Sequence, residues 1–326
     1  MISVNHLTKY YGNHLAVNDI SFDITEGHVY GFLGPNGAGK STTMNIITGC
    51  LSATDGNVLI DGHDIFEEPD EAKKLIGYLP EHPPLYMNES PIDYLRFVGE
   101  AKGLHGAELA AQVNNVIERT GIGNVKNKRI FTLSKGYKQR VGIAQALLGS
   151  PKVIILDEPT VGLDPIQIIE IRELIMELGK THTVIFSSHI LSEVQAICDQ
   201  IIMIAKGKLV AFGKPEELQN QLLSSNEIIL TTDADIAEIG DLLTDTGHIT
   251  GMENEASDDG KFIVHIKSDI ANMYDLSAQI FRRFAQSEKV IYEMTLKKGN
   301  LEDIFIELSE NAGESEVADN DCNIKA

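Results

Sequence analysis

In the stretch Gly34-Pro35-Asn36-Gly37-Ala38-Gly39-Lys40-Ser41-Thr42, the residues up to Ser41 fit the pattern G-x-x-x-x-G-K-[ST]. The chemistry of that pattern is phosphate binding. Glycines let successive backbone N–H groups converge on phosphate oxygens, and a following helix adds the positive end of its dipole. Lys40 would reach the β- and γ-phosphates of a nucleotide, and the Ser41 hydroxyl would ligate Mg²⁺. Further along lie two adjacent carboxylates, Asp157 and Glu158, and a histidine, His189, that follows two serines. The bland reading of the first stretch is a glycine-rich turn before an ordinary helix, so the flanking elements decide.

Those elements supply the required context. Val29 to Leu33 reads as a buried strand, and Thr43 to Thr48 as a helix with Met44 and Ile47 on one side and Gly49 ending it. Val153 to Leu156 is an uninterrupted apolar run, the mark of a parallel strand buried on both faces. It delivers Asp157 and Glu158 to its C-terminal end, where parallel α/β sheets bind ligands. A helix from Pro165 to Leu178 leads to the strand Thr183 to Phe186, which carries His189 to the same edge. Ile76 to Leu79 is another strand, and Pro80, Pro83 and Pro84 place Glu81 on a loop. Ile201 to Ile204 and Leu209 to Phe212 form a closing hairpin through Lys206-Gly207.

Around this core the chain predicts several additions. Two short strands, near Ile2 to Leu7 and Ile20 to Ile24, flank Tyr10-Tyr11-Gly12, and Gly56 and Gly62 bracket another. Tyr11 could fill a core or offer its ring to adenine. Residues 88–150 read as a helical insertion. Its first helix starts at Ser90-Pro91 with Ile92, Leu95 and Val98 on one side, and its second runs from Ala107 to Arg119. The third begins after Leu133-Ser134-Lys135-Gly136. Residues 220–310 follow the order βαββαβ of a ferredoxin-like unit and end in a short helix over Leu301 to Leu308. Residues 311–326 are acidic and predicted to be disordered. The expectation is thus an α/β P-loop NTPase (RecA-like) core with an antiparallel β subdomain and the helical insertion, spanning 1–219, plus a small C-terminal α+β domain.

The formal charge of −21 over 326 residues disfavours nucleic acid and anionic membrane surfaces as partners. No apolar stretch is long enough to span a bilayer, so direct membrane insertion is not expected, nor is a signal peptide. Cys50, Cys198 and Cys322 lack metal-type spacing and read as isolated thiols in a reducing cytoplasm.

The order of motifs resembles the ATP-binding cassette (ABC) ATPases. Leu133-Ser134-Lys135-Gly136-Tyr137 is similar to their signature, Val153 to Glu158 to their Walker B strand, Gly162-Leu163-Asp164 to their D-loop, and His189 to their switch histidine. The resemblance covers about residues 1–215. It implies that Tyr11 stacks on adenine, that Gly34 to Thr42 cradle the phosphates, and that Asp157 and Ser41 hold Mg²⁺. Glu158 then polarises the attacking water and His189 positions it. Ser134 and Gly136 would cap the γ-phosphate of a second cassette, with Asp164 at the dimer contact. Two departures stand out: Lys135 and Tyr137 replace the signature's Gly and Gln, and Glu81 replaces a glutamine that senses Mg²⁺ and the membrane subunit. Similar variants, and a C-terminal extension like Leu301 to Phe305, resemble cassettes of gliding-motility-type and type-2 exporters.

The resemblance therefore implies an ATP-hydrolysing subunit of an ABC exporter. It would act as a dimer, expected to be a homodimer, with a separate polytopic transmembrane permease, on the cytoplasmic face of the membrane. The competing reading, a soluble cassette acting on ribosomes or DNA, calls for two cassettes in one chain, long coiled coils or zinc modules. None of these is visible in the sequence. A non-catalytic binding module is disfavoured by the presence of both Glu158 and His189.

Overall fold

The computed structural model describes residues 1–222, 226–244, 246–256, 261–268, 270 and 272–297. In chain order, strands β1 (Ile2–Tyr11), β2 (His14–Ile24) and β3 (Val29–Leu33) lead to helix α1 (Lys40–Ile47). Strands β4 (Asp55–Ile60) and β5 (His63–Asp64), helix α2 (Pro69–Lys74) and strand β6 (Ile76–Leu79) follow. Three helices come next: α3 (Pro91–Ala101), α4 (Gly106–Arg119) and α5 (Lys135–Leu147). The unit closes with β7 (Val153–Leu156), α6 (Pro165–Gly179), β8 (Thr183–Ser188), α7 (Leu191–Ile197), β9 (Gln200–Ala205) and β10 (Lys208–Gly213).

Two sheets organise these elements. The larger has the order β10-β9-β3-β8-β7-β6; β9 through β6 run parallel, and β10 returns antiparallel on the edge. Its strands β3, β7 and β8 are buried at every position, as apolar runs covered on both faces require. The smaller sheet, β2-β1-β4-β5, is antiparallel. One buried cluster unites the two sheets with α1, bringing Val4, Ile20 and Val58 into the same core as Phe32, Met44 and Ile202.

The opening strands are longer than the sequence suggests. Tyr10 and Tyr11 belong to β1 instead of lying between strands, and only Gly12-Asn13 separates β1 from β2. The reason is irregular pairing. Register shifts interrupt the β1–β2 ladder, and His6 and Asp19 take φ values of 50° and 49°. Such bulges break the alternation by which a half-buried strand is recognised.

In the helical block, Ser90 caps α3 by accepting from the Asp93 N–H at 3.3 Å. The inward side of α3 is Pro91, Tyr94, Leu95 and Gly99, while Ile92 and Val98 are only half-buried. The expected apolar side is therefore rotated, because Tyr94 turns inward and Phe97 stays exposed.

The described chain divides between Pro215 and Glu216. Helix α8 (Pro215–Leu222) spans that point. Beyond it come β11 (Asn226–Thr232), α9 (Ile236–Leu243), β12 (Ile249–Ala256), β13 (Phe262–Ser268), α10 (Met273–Gln286) and β14 (Ile291–Lys297). The order βαββαβ forms an antiparallel sheet β12-β13-β11-β14. Its core is its own: Ile228, Leu230, Val264 and Ile266 from the sheet meet Ile239 of α9 and Leu276, Ile280 and Phe284 of α10. Asp235 and Glu238 form a reciprocal cap at the start of α9. The helix expected over Leu301 to Leu308 and the tail 311–326 lie outside the described residues.

Candidate active site

The phosphate-loop stretch connects β3 to α1, and α1 begins at Lys40 itself. Gly39 caps it with φ near 102°, in the left-handed region, and a Cβ there would stand 2.6 Å from the Ala16 carbonyl oxygen. Only glycine fits both constraints. Lys40 folds back over the loop, donating from Nζ to the Gly34 carbonyl at 2.9 Å and the Pro35 carbonyl at 3.2 Å.

Around this loop lies a cavity of about 500 Å³ lined by Tyr11, Asn36, Gly37, Gly39, Lys40, Ser41, Thr42, Glu81, Glu158 and His189. Gly34, Pro35 and Ala38 complete the loop, and Asp157 reaches it through Ser41, whose hydroxyl donates to Oδ1 at 3.2 Å. Tyr11 is 49% exposed at the end of β1, with the Lys9 ammonium 5.5 Å from its ring centroid, so it is not a core filler.

Three charged groups are buried here: Lys40, Asp157 and Glu158 are 6%, 2% and 6% exposed. Buried charges persist when they are paired. Lys40 Nζ lies 3.5 Å from Glu158 Oε1, and His189 Nδ1 lies 3.0 Å from Glu158 Oε2. Burial pushes the Lys40 pKa down, against the pull of Glu158, Asp157 and Glu81. Burial likewise raises the Asp157 pKa, opposed by hydrogen bonds from Ser187 and Ser41 and reinforced by the charges of Glu158 and Glu81. Glu81 is itself half-exposed, with the His82 imidazole 3.9 Å away.

Ser134, Gly136 and Asp164 stand apart from this group. They line a separate cavity of about 390 Å³ with Tyr137, Arg140 and Gln167. Ser134 caps α5 by accepting from the Tyr137 N–H at 3.4 Å, and Asp164 caps α6 by accepting from the Gln167 N–H at 2.9 Å. A Cβ at Gly136 would stand 2.8 Å from the Gln167 side chain, so the absent side chain lets α5 approach α6. Lys135 lies over Gly162, bringing two of the expected motifs into contact. Tyr137 accepts a hydrogen bond from Asn124 at 2.9 Å.

Several contributors were not anticipated. His14, Ala16 and Val161 line the first cavity. Ser187 is the more consequential: its hydroxyl donates to Asp157 Oδ1 at 2.6 Å and accepts from the Glu158 N–H at 2.7 Å. It fixes the Asp157–Glu158 pair, where Glu158 has a strained φ of 46°. Its place at the end of a strand, two residues before His189, is the only hint in the sequence.

A parallel sheet with a glycine loop, a buried lysine and two carboxylates at its C-terminal edge defines a P-loop nucleotide hydrolase. The ABC transporter family profile matches residues 17–161. A lantibiotic transport ATP-binding protein of Streptococcus pyogenes is 40% identical over 70% of this chain and 98% of its own. A bacitracin transport ATP-binding protein of Bacillus licheniformis is 33% identical over 94% of this chain and 97% of its own, a span that includes the C-terminal unit. Among solved structures, a dimeric ATP-binding cassette in a post-hydrolysis state bound to ADP and Pi is 26% identical. It superimposes with a TM-score of 0.59 over 66% of this chain and 98% of that one. The chain belongs to the ABC transporter family, as an ATP-binding, ATP-hydrolysing cassette. Among the described residues no helix is long and apolar enough to cross a membrane.

Proposed function

We propose that this cassette is the ATPase subunit of an exporter, working as an ATP-closed dimer, a homodimer in the simplest case, that drives a separate polytopic permease. One observation carries the reading: the chain presents two incomplete sites on separate cavities. Lys40, Glu158 and His189 line one; Ser134, Gly136 and Asp164 line the other. A head-to-tail pair would set each phosphate loop against the other copy's Ser134 and Gly136, with Asp164 at the contact. The solved dimeric cassette supports this. The lantibiotic and bacitracin transport relatives support transport as the output. With no apolar span of its own among the described residues, the subunit would sit on the cytoplasmic face through the permease.

Within each site the roles follow from contacts. Tyr11 offers an exposed ring for adenine stacking. The backbone N–H groups of Gly34 to Thr42 and the Lys40 ammonium would receive the phosphates. Glu158 would take the proton of the attacking water, and His189, held at its carboxylate, would fix the position of that water near the γ-phosphate. The donor set also fits Mg²⁺, because the Ser41 hydroxyl and Asp157 carboxylate are hard oxygens 3.2 Å apart, with Glu81 on the same cavity. No group of three or more His, Cys, Asp or Glu among the described residues forms a metal cage, so phosphate and water would complete the shell. When bound, the ion would neutralise charge on the phosphates.

The test is the oligomeric state of Glu158→Gln by light scattering with saturating ATP and Mg²⁺. The expected result is a dimer that reverts to monomer without ATP. A monomer under both conditions would overturn the reading.

A further inference from the structure

The carboxylate of Glu193, on α7, is 2% exposed and does not line the nucleotide cavity. A buried carboxylate is costly unless donors surround it, and Glu193 has three. Oε2 accepts from Thr160 Oγ1 at 2.7 Å and from Ser188 Oγ at 3.0 Å, while Oε1 lies 3.4 Å from Arg172 Nη2. Each donor sits on a different functional segment. Thr160 follows Glu158 by two residues and begins the turn that leads to Asp164, with its carbonyl accepting from the Leu163 N–H at 3.2 Å. Ser188 directly precedes His189, and its hydroxyl also accepts from the Ile190 N–H at 3.0 Å, so it straddles the histidine. Arg172 belongs to α6, the helix capped by Asp164.

We propose that Glu193 is a positioning residue that joins the loop carrying Asp164 to the loop carrying His189, so that the two move as one. One carboxylate oxygen receives both hydroxyls. A displacement of the 160–164 turn therefore changes the bond that holds Ser188, and with it the placement of His189 against Glu158. The state of the second cavity, where Asp164 lies, would thereby reach the hydrolytic pair without any contact between nucleotide and Glu193. This inference rests on the roles proposed above for Glu158 and His189.

The experiment uses the full chain and three readouts: ATPase kcat, affinity for a non-hydrolysable ATP analogue, and melting temperature. Thr160→Val and Ser188→Ala each remove one donor and leave the carboxylate paired with Arg172. Hydrogen bonds to charged groups are strong enough that each should lower kcat about tenfold, with analogue affinity within about twofold. Thr160→Ser should restore the rate, because it restores the hydroxyl. The double variant should be no slower than the slower single, since both act through one oxygen. Glu193→Gln keeps a side-chain oxygen able to accept both hydroxyls, so it should be no slower than the double variant. Unchanged kcat in both single variants, or strictly multiplicative losses, would overturn the proposal. So would losses of rate that track losses of affinity or melting temperature, the pattern of a merely structural residue. His189→Ala, measured alongside, separates the premises: full activity there would refute the His189 role itself and leave the Glu193 contacts standing.

Discussion

The ammonium of Lys40 and the carboxylate of Glu158 form a buried ion pair, 3.5 Å apart, on the wall of the nucleotide cavity. With the nucleotide bound as proposed, its phosphates and Glu158 would compete for one cation. Removing the competitor should strengthen nucleotide binding at the same time as it removes the proposed proton acceptor. Glu158→Gln should lower ATPase kcat by about 10²–10⁴-fold and tighten ATP binding severalfold. Steady-state hydrolysis and calorimetric titration check the two halves. A variant that hydrolyses at the normal rate removes Glu158 from its role.

The same pair predicts a double effect for Lys40→Ala. Tight ATP binding should be abolished, because the charge proposed to face the β- and γ-phosphates is gone. The protein should also lose stability, since Glu158 stays buried. The loss should fall below the ~3–5 kcal/mol typical when a buried pair loses one partner, because His189 still faces that carboxylate at 3.0 Å. Urea unfolding and calorimetry measure the two effects separately. Undiminished ATP affinity would contradict the assignment.

Ser187→Ala isolates the clamp on the two carboxylates. The substitution leaves the buried Glu158 N–H without its acceptor and removes one of two hydroxyls that donate to Asp157. An unsatisfied buried donor costs about 1–3 kcal/mol. The expected outcome is a stability loss of that order with a fall in kcat larger than any fall in affinity for the ATP analogue. Equal kcat at reduced stability would confine Ser187 to folding.

How much of this was readable beforehand depends on the range of the interactions. The strand Val153–Leu156 and the loop 34–42 were legible because each is a local pattern: an unbroken apolar run, and glycines at fixed offsets before a Lys-Ser pair. The segregation of Ser134, Gly136 and Asp164 from the phosphate loop was also anticipated, from the family resemblance alone. The bulges at His6 and Asp19 hid the true length of β1 and β2. Helix α7 has seven residues and no side-chain cap, so neither length nor boundary chemistry announced it. Glu193 was invisible because its meaning is a contact between Thr160 and Ser188, residues that only folding brings to one carboxylate.

Glu81→Gln addresses the departure in the loop after β6. Gln and Glu offer an oxygen on side chains of the same length, and only Glu adds a charge, which bears on both Lys40 and Asp157. That charge would attract Mg²⁺ and repel the γ-phosphate when the ion is absent. The variant should need more Mg²⁺ for half-maximal ATPase activity and show a weaker dependence of ATP binding on Mg²⁺. Superimposable Mg²⁺ titrations would mean that Glu81 does not sense the ion.

Lys102 offers a prediction in pH. The residue as a whole is exposed, yet its Nζ turns to the end of α5, donating to the Leu148 carbonyl at 2.6 Å and the Gln145 carbonyl at 3.4 Å. Carbonyls at a helix C-terminus favour a cation, but burial wins and pushes the pKa down from 10.5 to about 8. The sign of the consequence follows from proton counting. Between about pH 8 and 10.5 the unfolded chain still binds a proton that the folded chain has released. Stability from this group therefore rises with pH across that window and is flat below it. Other groups titrate alike in a Lys102→Met variant, so subtraction isolates the lysine. Urea unfolding at pH 7.5, 8.5 and 9.5 on both proteins (test values chosen at roughly one-unit steps across the window) should give a difference that moves in favour of the wild type as pH rises. A difference that stays constant would place the ammonium in water, with its ordinary affinity for the proton.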